Sequence, residues 1–290
     1  MIINGTVLAD QIESRIQHAI SHLKARPPGL AFILVGNDPA SQSYIRMKKK
    51  KCAQVGMISI DQEFPNTISE QQLLFEIQKL NEDPYVDGIL VQLPLPEHLN
   101  MATIMMAIDP AKDVDGFHPI NMGKLLLGEQ DGFIPCTPQG IHLLLTHSQI
   151  PLLGKHVVII GRSNIVGKPL AALLMQKAPH CNATVTVAHS LTENLTQICQ
   201  SADILVAAIG KPHYVKASMV KKGAVVIDVG INRLKEDSSR IVGDVDFDEV
   251  SPLTLAITPV PKGVGPMTIA MLLSNTFLSY QRRFQIDKLN

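Results

Sequence analysis

Tryptophan is absent from the 290 residues, and aromatic residues of all kinds amount to only 4%. Any core must therefore be aliphatic. Neither sign of charge is in surplus, since Lys+Arg and Asp+Glu are 26 each. The chain lacks the basic excess needed to neutralise a run of phosphates, so a nucleic-acid partner is not expected. Cysteine is scarce. Cys52, Cys136, Cys181 and Cys199 form no CxxC pair, which gives neither zinc-ligand spacing nor a disulfide framework. No metal site is expected, and the thiols are read as reduced. No run reaches the roughly 18–20 apolar residues that span a bilayer. The first twenty residues carry Asp10, Glu13 and Arg15 at helix-like positions, unlike a signal peptide. A soluble, cytoplasmic protein with no membrane partner is expected. The 19 Gly and 19 Pro follow no short repeat, which excludes a collagen-like chain.

What is present is ordinary globular material, 46% hydrophobic and 18% charged, with length for one large domain or two ordinary ones. Short apolar runs alternate with amphipathic stretches. Ala31–Val35 reads as a buried strand stopped by Gly36, followed by a helix over about Ser41–Val55. Gln71–Leu80 has helical spacing, and Val86–Leu93 reads as a strand ended by Pro94. This βαβα rhythm predicts a parallel sheet covered by helices. Asp109–Gly140 is rich in Pro, Gly and Asp and reads as functional loop and domain junction. Thr137-Pro138 offers an N-cap and a first-turn proline for a helix through Thr146. A second series follows, with strands at His156–Ile160, Ala183–Val187, Asp203–Ile209 and Ala224–Val229, and a last helix from about Pro266 to Phe284.

The strand His156–Ile160 runs into Gly161-Arg162-Ser163-Asn164-Ile165-Val166-Gly167-Lys168-Pro169 and then a helix. A glycine turn between strand and helix aims backbone N–H groups at an anion. The pattern departs from GxGxxG: Ser163 takes the second glycine position, and the last glycine comes one residue late. It fits a dinucleotide site and also a tight turn in any α/β domain. The next strand ends in Ala188-His189-Ser190, without the acid that holds a ribose 2′-hydroxyl in NAD sites. Arg162 and Ser190 suit a 2′-phosphate, or are ordinary loop residues. Gly210 and Gly230-Ile231 close two further strands at the same edge.

Tyr44 and Lys48 are four residues apart on a predicted helix and share a face. The run Lys48-Lys49-Lys50-Lys51 looks like a solvated patch, but at about 100° per residue only Lys48 and Lys51 stay near Tyr44. Tyr-x-x-x-Lys also marks short-chain dehydrogenases. There it follows the glycine loop, whereas here it comes long before. Gln92 is a polar residue at the end of an apolar strand. Asp113-Val114-Asp115-Gly116-Phe117-His118-Pro119 gathers two carboxylates and an imidazole, without the further acids of a calcium loop.

Together these segments resemble the bifunctional methylenetetrahydrofolate dehydrogenase/methenyltetrahydrofolate cyclohydrolase family. The matching stretches are PASQSYIRMKKKKC (39–52), DGILVQLPLP (87–96), KDVDGFHP (112–119), PCTPQG (135–140), GRSNIVGKP (161–169), VIDVGIN (226–232), VGDVDF (242–247) and PVPKGVGPMT (259–268). The resemblance implies NADP-dependent oxidation of 5,10-methylene-tetrahydrofolate to the 5,10-methenyl form, then hydrolysis to 10-formyl-tetrahydrofolate. It implies two α/β domains flanking a cleft, the second a Rossmann-like parallel sheet, and a homodimer. The first domain would be 1–137, completed by the C-terminal helix 266–290, and the NADP-binding domain 138–265. It makes Lys48 the acid/base group, supported by Gln92. Tyr44 would pack on the folate ring system, and Asp115 would hold the amino-pyrimidine edge. Gly263, Pro266 and Thr268 would also line the folate. Gly161, Arg162, Ser163, Ile165, Ser190, Gly210 and Ile231 would contact NADP.

The chemistry suits these roles. Hydride transfer needs orientation more than proton transfer. Hydrolysis needs a lysine able to give up its proton, and partial burial and a neighbouring cation such as Lys51 would both favour that. A dehydrogenase that has lost the hydrolytic step, or a redox sensor on the same fold, would show a decayed Lys48 environment or substrate motif; both are intact here. One departure stands out, because the family reads PGGVGPMT where this chain has Pro261-Lys262-Gly263. Lys262 is read either as a cation at the cleft rim, assisting the carboxylates of the folate's glutamate tail, or as a solvated lysine tolerated because the position does not need positive φ.

Overall fold

The computed structural model describes residues 1–234 and 241–286. Along the chain run α1 (Gly5–Ser21), β1 (Gly29–Val35), α2 (Pro39–Gln54), β2 (Ile58–Phe64), α3 (Glu70–Glu82), β3 (Gly88–Val91), α4 (Met101–Ala107), α5 (Pro119–Leu127) and α6 (Cys136–His147). Then come β4 (His156–Ile160), α7 (Gly167–Leu174), β5 (Thr184–Ala188), α8 (Leu195–Gln200), β6 (Ile204–Ala207) and β7 (Val225–Asp228). The short β8 (Asn232–Arg233), β9 (Ile241–Val242), α9 (Phe247–Val250) and β10 (Ala256–Ile257) precede α10 (Val264–Phe284). The expected C-terminal helix thus stops at Phe284 in its described part, and 287–290 lie outside the described residues.

The chain forms two compact units. One comprises Gln11–Gly123, Asp131–Cys136 and Ile269–Asn290. Its sheet has the parallel order β2-β1-β3. Every residue of β1 is buried, as befits a central strand covered on both faces. Local signals set the helices. Asp38 accepts from the Ser41 amide at 2.7 Å, with Pro39 in the first turn of α2. Ser69 and Gln72 form a capping box that starts α3. The buried Lys112 ammonium donates to the carbonyls of Leu80, Asn81 and Asp83 at 2.6–2.9 Å. It satisfies the otherwise orphaned C-terminal end of α3.

The other unit comprises Met1–Asp10, Lys124–Gln130 and Thr137–Thr268. Its five parallel strands are ordered β10-β7-β6-β4-β5. The chain leaves β4 for β5 on one side and then crosses to β6 on the other. The strand order therefore reverses at the carboxyl end of β4, where ligands of open α/β sheets bind. Its core is aliphatic, built on Val158, Ile160, Leu205, Val226 and Ile257. Both units are α/β, and this one carries a Rossmann-like parallel sheet.

Two expectations need correction. Asp109–Gly140 is not loop throughout, because α5 and the first residues of α6 lie within it. Asp113 organises the start of α5 by accepting from the amides of Phe117 and His118 and from Asn121 Nδ2. Thr137 is not an N-cap either. The helix α6 already starts at Cys136, and Thr137 Oγ1 instead shares a 2.9 Å hydrogen bond with Thr268 Oγ1.

Candidate active site

Lys48 lies on α2, the helix that follows β1, and Gln92 directly follows β3. Gln92 therefore sits at the carboxyl end of β3, and Lys48 reaches it from within α2. Lys48 Nζ donates to Gln92 Oε1 at 3.1 Å. The Gln92 amide is held in turn, because its Nε2 donates to the Leu93 carbonyl at 2.7 Å. Tyr44, half-buried, is one helical turn before Lys48.

Asp115 completes the cluster. Burial pushes its carboxyl up to about 6, the Lys48 charge pulls it back down, Asp113 raises it and a hydrogen bond from the Cys136 thiol lowers it. Its backbone is clamped from α10, where Asn275 Nδ2 donates to the Val114 carbonyl at 2.9 Å and to that of Ile134 at 3.1 Å. At Gly116, φ is +76° and a Cβ would run into the backbone of Ile134 and Pro135, so only glycine fits there. The thiol of Cys136, fully buried, is held well above its ordinary pKa by that burial and by the adjacent Asp115. It is a neutral hydrogen-bonding group, not a nucleophile.

The cation run separates as helical geometry requires. Lys49 pairs with Asp61 and Glu63 of β2 at 3.1 and 3.3 Å, and Lys50 is exposed. Lys51 does not play its expected part. Its ammonium meets Glu13 at 2.6 Å, so its charge is balanced there and is not directed at Lys48. The charged group that faces Lys48 is Asp115.

The raised Asp115 pKa has a measurable consequence. An acid whose pKa rises on folding destabilises the fold above that pKa, and the penalty vanishes below the unfolded value. Asp115→Asn should therefore stabilise the protein at pH 8, by an amount of order 2 kcal/mol. The gain should shrink as pH falls through 6 towards 4, where the wild-type carboxyl takes up its proton. Urea unfolding at both ends of that range measures it; a difference independent of pH would contradict the burial of a charged Asp115.

In the other unit, Gly161 ends β4 at φ +130°, where a Cβ would strike the Ala208 carbonyl. Gly167 approaches the Gly161 carbonyl equally closely, which accounts for the late position of that glycine. Ser163, at the second glycine position, is also explained. Its Oγ accepts from the amides of Val166 and Gly167 at 3.1 and 3.4 Å, and its carbonyl accepts from Lys168 at 3.1 Å. The amides at the start of α7, expected to point at an anion, are thus taken. The loop also offers side chains: the Ser163 O–H, still able to donate, and the exposed Arg162. Ser190, exposed, follows β5, and no acid stands at that strand end. Gly210 and Ile231 are exposed after β6 and β7, and Ile165 is half-buried in the loop. This donor set fits a phosphorylated dinucleotide better than NAD.

Gly263, Pro266 and Thr268 belong to this unit too. At Gly263 a Cβ would collide with Thr258 and the Pro259 carbonyl. Lys262, exposed, has φ +84°. The idea that this position does not need positive φ is therefore wrong. A lysine occupies a left-handed site that favours glycine, at a cost of about 1–2 kcal/mol.

Residues 3–115 match the catalytic domain of the tetrahydrofolate dehydrogenase/cyclohydrolase family, and residues 135–284 match its NAD(P)-binding domain. The chain belongs to the tetrahydrofolate dehydrogenase/cyclohydrolase family. It is 56% identical over 286 residues to the bifunctional protein FolD of Protochlamydia amoebophila, covering 97% of this chain and 98% of that one. The bifunctional FolD enzyme of Campylobacter jejuni superposes with a TM-score of 0.93 at 47% identity, covering 98% of this chain and 99% of the other. The Trypanosoma brucei enzyme, solved with NADP cofactor and an inhibitor, has a TM-score of 0.93 at 37% identity, covering 98% of each chain. Among the described residues, no helix is long and apolar enough to cross a membrane. Within this family frame, the residues that sequence reasoning left without a role are Asn275, Cys136, Asp228 and Asp244. The two aspartates lie inside the matching stretches VIDVGIN and VGDVDF.

Proposed function

We propose that Lys48 is the acid/base group of a two-step conversion. The chain is an NADP-dependent methylenetetrahydrofolate dehydrogenase and methenyltetrahydrofolate cyclohydrolase, taking the methylene form through methenyl to 10-formyl-tetrahydrofolate. The observation that carries the role of Lys48 is its bond to Gln92 at 3.1 Å beside the Asp115 carboxylate. Asp115 accepts from the amino-pyrimidine edge of the pterin, and Tyr44 packs on its ring. Bound NADP supplies the hydride acceptor. Water then attacks the electrophilic bridge carbon. The Lys48 amine takes the water's proton and returns it to the departing nitrogen, while Gln92 fixes the direction of its lone pair. Arg162 and Ser190 hold the 2′-phosphate; Gly161, Ser163, Ile165, Gly210 and Ile231 line the rest of the cofactor. Gly263, Pro266 and Thr268 contribute to the folate site. The same reading includes a first domain of 1–137 completed by the C-terminal helix, an NADP domain of 138–265, a homodimer and a cytoplasmic location, supported by the family resemblance.

The deciding experiment mixes the protein with methylene-tetrahydrofolate and NADP⁺ and follows NADPH, methenyl and formyl species together. NADPH and formyl product should rise in step. Methenyl that accumulates and decays only at its spontaneous hydrolysis rate would leave a dehydrogenase only.

Lys262 enters this reading as a cation for the glutamate carboxylates of the folate. A strained backbone retained at an exposed position supports a functional use of the side chain. Lys262→Gly should stabilise the fold by about 1 kcal/mol, raise KM for folate at low salt and leave kcat unchanged. The KM difference should shrink at high salt as ions screen the contact. An unchanged KM at low salt would reduce Lys262 to a tolerated surface residue.

A further inference from the structure

Two buried carboxylates in the Rossmann-like unit have no part in the chemistry above. Asp228 ends β7 and Asp244 follows β9; they are 4% and 0% exposed. Burying two acids side by side is expensive unless each is fully hydrogen-bonded. Their donors show what the arrangement does. Asp244 Oδ2 accepts from the amides of Ile209 and Gly210 at 2.8 and 2.9 Å, and its Oδ1 accepts from Asn232 Nδ2 at 2.9 Å. One carboxylate therefore joins the loop after β6 to the segment after β7.

Asp228 holds Asp244 in place. Its Oδ1 accepts from the amides of Gly230 and Asp244 at 2.9 Å each, and its Oδ2 accepts from Val245 at 3.0 Å. Its own amide donates to Thr258 Oγ1 at 2.8 Å. The carbonyls of Gly243 and Asp244 receive the amides of His213 and Val215, tying the far end of the β6 loop to the same segment. Two glycines make room for the pair: a Cβ at Gly230 would collide with Asp244, and one at Gly243 with the Asp228 carboxylate.

We propose that Asp244, backed by Asp228, is a positioning residue for the dinucleotide site, fixing the Gly210 turn against the Asn232 segment that adjoins Ile231. The inference rests on the reading that Gly210 and Ile231 face NADP. Neither carboxylate reaches the cofactor; they act through the backbone that does.

Asp244→Asn keeps the size and shape, but one end of an amide is a donor. It faces the Ile209 and Gly210 amides with its oxygen only by turning an N–H to Asn232, whose side chain must then turn over to accept it, and the negative charge that strengthened all three bonds is gone. KM for NADP⁺ should rise about 10- to 100-fold, the range carried by lost hydrogen bonds to a charged group. Hydrolysis of methenyl-tetrahydrofolate supplied directly, which needs no dinucleotide, should stay within about twofold, since bonds made only by Asp244 are lost. Asn232→Ala leaves both aspartates intact and should give the same contrast at about 3- to 10-fold, so the test does not depend on Asp244→Asn folding. Equal loss of both activities would make the pair merely structural and overturn the proposal. So would an NADP⁺ KM unchanged in both variants. Arg162→Ala, run alongside, separates the two readings. If it weakens NADP⁺ while the Asp244 and Asn232 variants do not, the positioning role fails and the cofactor site stands. If none of the three weakens it, the cofactor does not use this edge at all.

Discussion

Lys48→Met should abolish most of the cyclohydrolase activity, by about 10²–10⁴-fold, while the dehydrogenase activity falls much less. The asymmetry comes from the two steps themselves. Hydride leaves the bridge carbon without a proton carrier, so the first step loses only what Lys48 gives to orientation. Hydrolysis must take a proton from water and place one on nitrogen, and methionine does neither. Methionine preserves the length and apolar stem of the side chain, so its packing between Gln92 and Asp115 changes little. Gln92 loses the partner held at 3.1 Å but keeps its bond to the Leu93 carbonyl, which limits the disturbance. The check is to measure the two activities separately, with methenyl-tetrahydrofolate supplied directly for the second. Equal loss of both, with folate binding intact, would remove Lys48 from the proton path.

Arg162→Ala should collapse the preference for NADP over NAD, lowering the ratio of their kcat/KM values about 10- to 100-fold. A guanidinium on a phosphate makes charge-assisted, often bidentate bonds worth more than neutral ones. The structure sharpens this expectation. With the Val166, Gly167 and Lys168 amides already bonded to Ser163, the start of α7 has no backbone donor left for the extra phosphate. The side chains must discriminate. The loss should fall on NADP alone, with NAD kinetics little changed, and should weaken with salt. An unchanged ratio would move the discrimination elsewhere, with Ser190 next in line.

The elements read most clearly from the sequence were those with one simple cause. β1 and β4 are continuous apolar runs because both faces are covered, and α3 follows from its helical spacing. β2 gave no such signal. It is an edge strand whose residues are mostly exposed or half-exposed, and its Asp61 and Glu63 serve to pair Lys49. α5 was hidden because its start depends on Asp113, six residues ahead in a loop rich in Pro and Gly. Lys48 stands out by the helix face it shares with Tyr44, Gln92 as a polar residue at a strand end and Asp115 in a loop; Lys48 bonds Gln92 and its charge acts on Asp115. The role given to Lys51 failed because Glu13, its partner, comes from a distant helix, and sequence spacing carries no record of that pairing. Asp228 and Asp244 lie within matching motifs, but nothing in the sequence marks what they do. An aspartate that only binds backbone amides looks, in sequence, like any loop acid. The positive φ at Lys262 was missed for the opposite reason: the residue present is the wrong one for its conformation.

The clamp of Asn275 on the Val114 carbonyl has a consequence in time. The two residues are separated by 161 positions. At translation rates of about 5–20 residues per second, Val114 and Asp115 are made roughly 8–32 s before the side chain that holds them. Throughout that interval the nascent chain contains Lys48, Gln92 and Asp115 but not the helix that fixes the third of them. The strands and helices of this unit can form early, whereas its catalytic geometry arrives only with α10. Synthesis interrupted before Val264 would leave a chain bearing every proposed catalytic side chain and no assembled site.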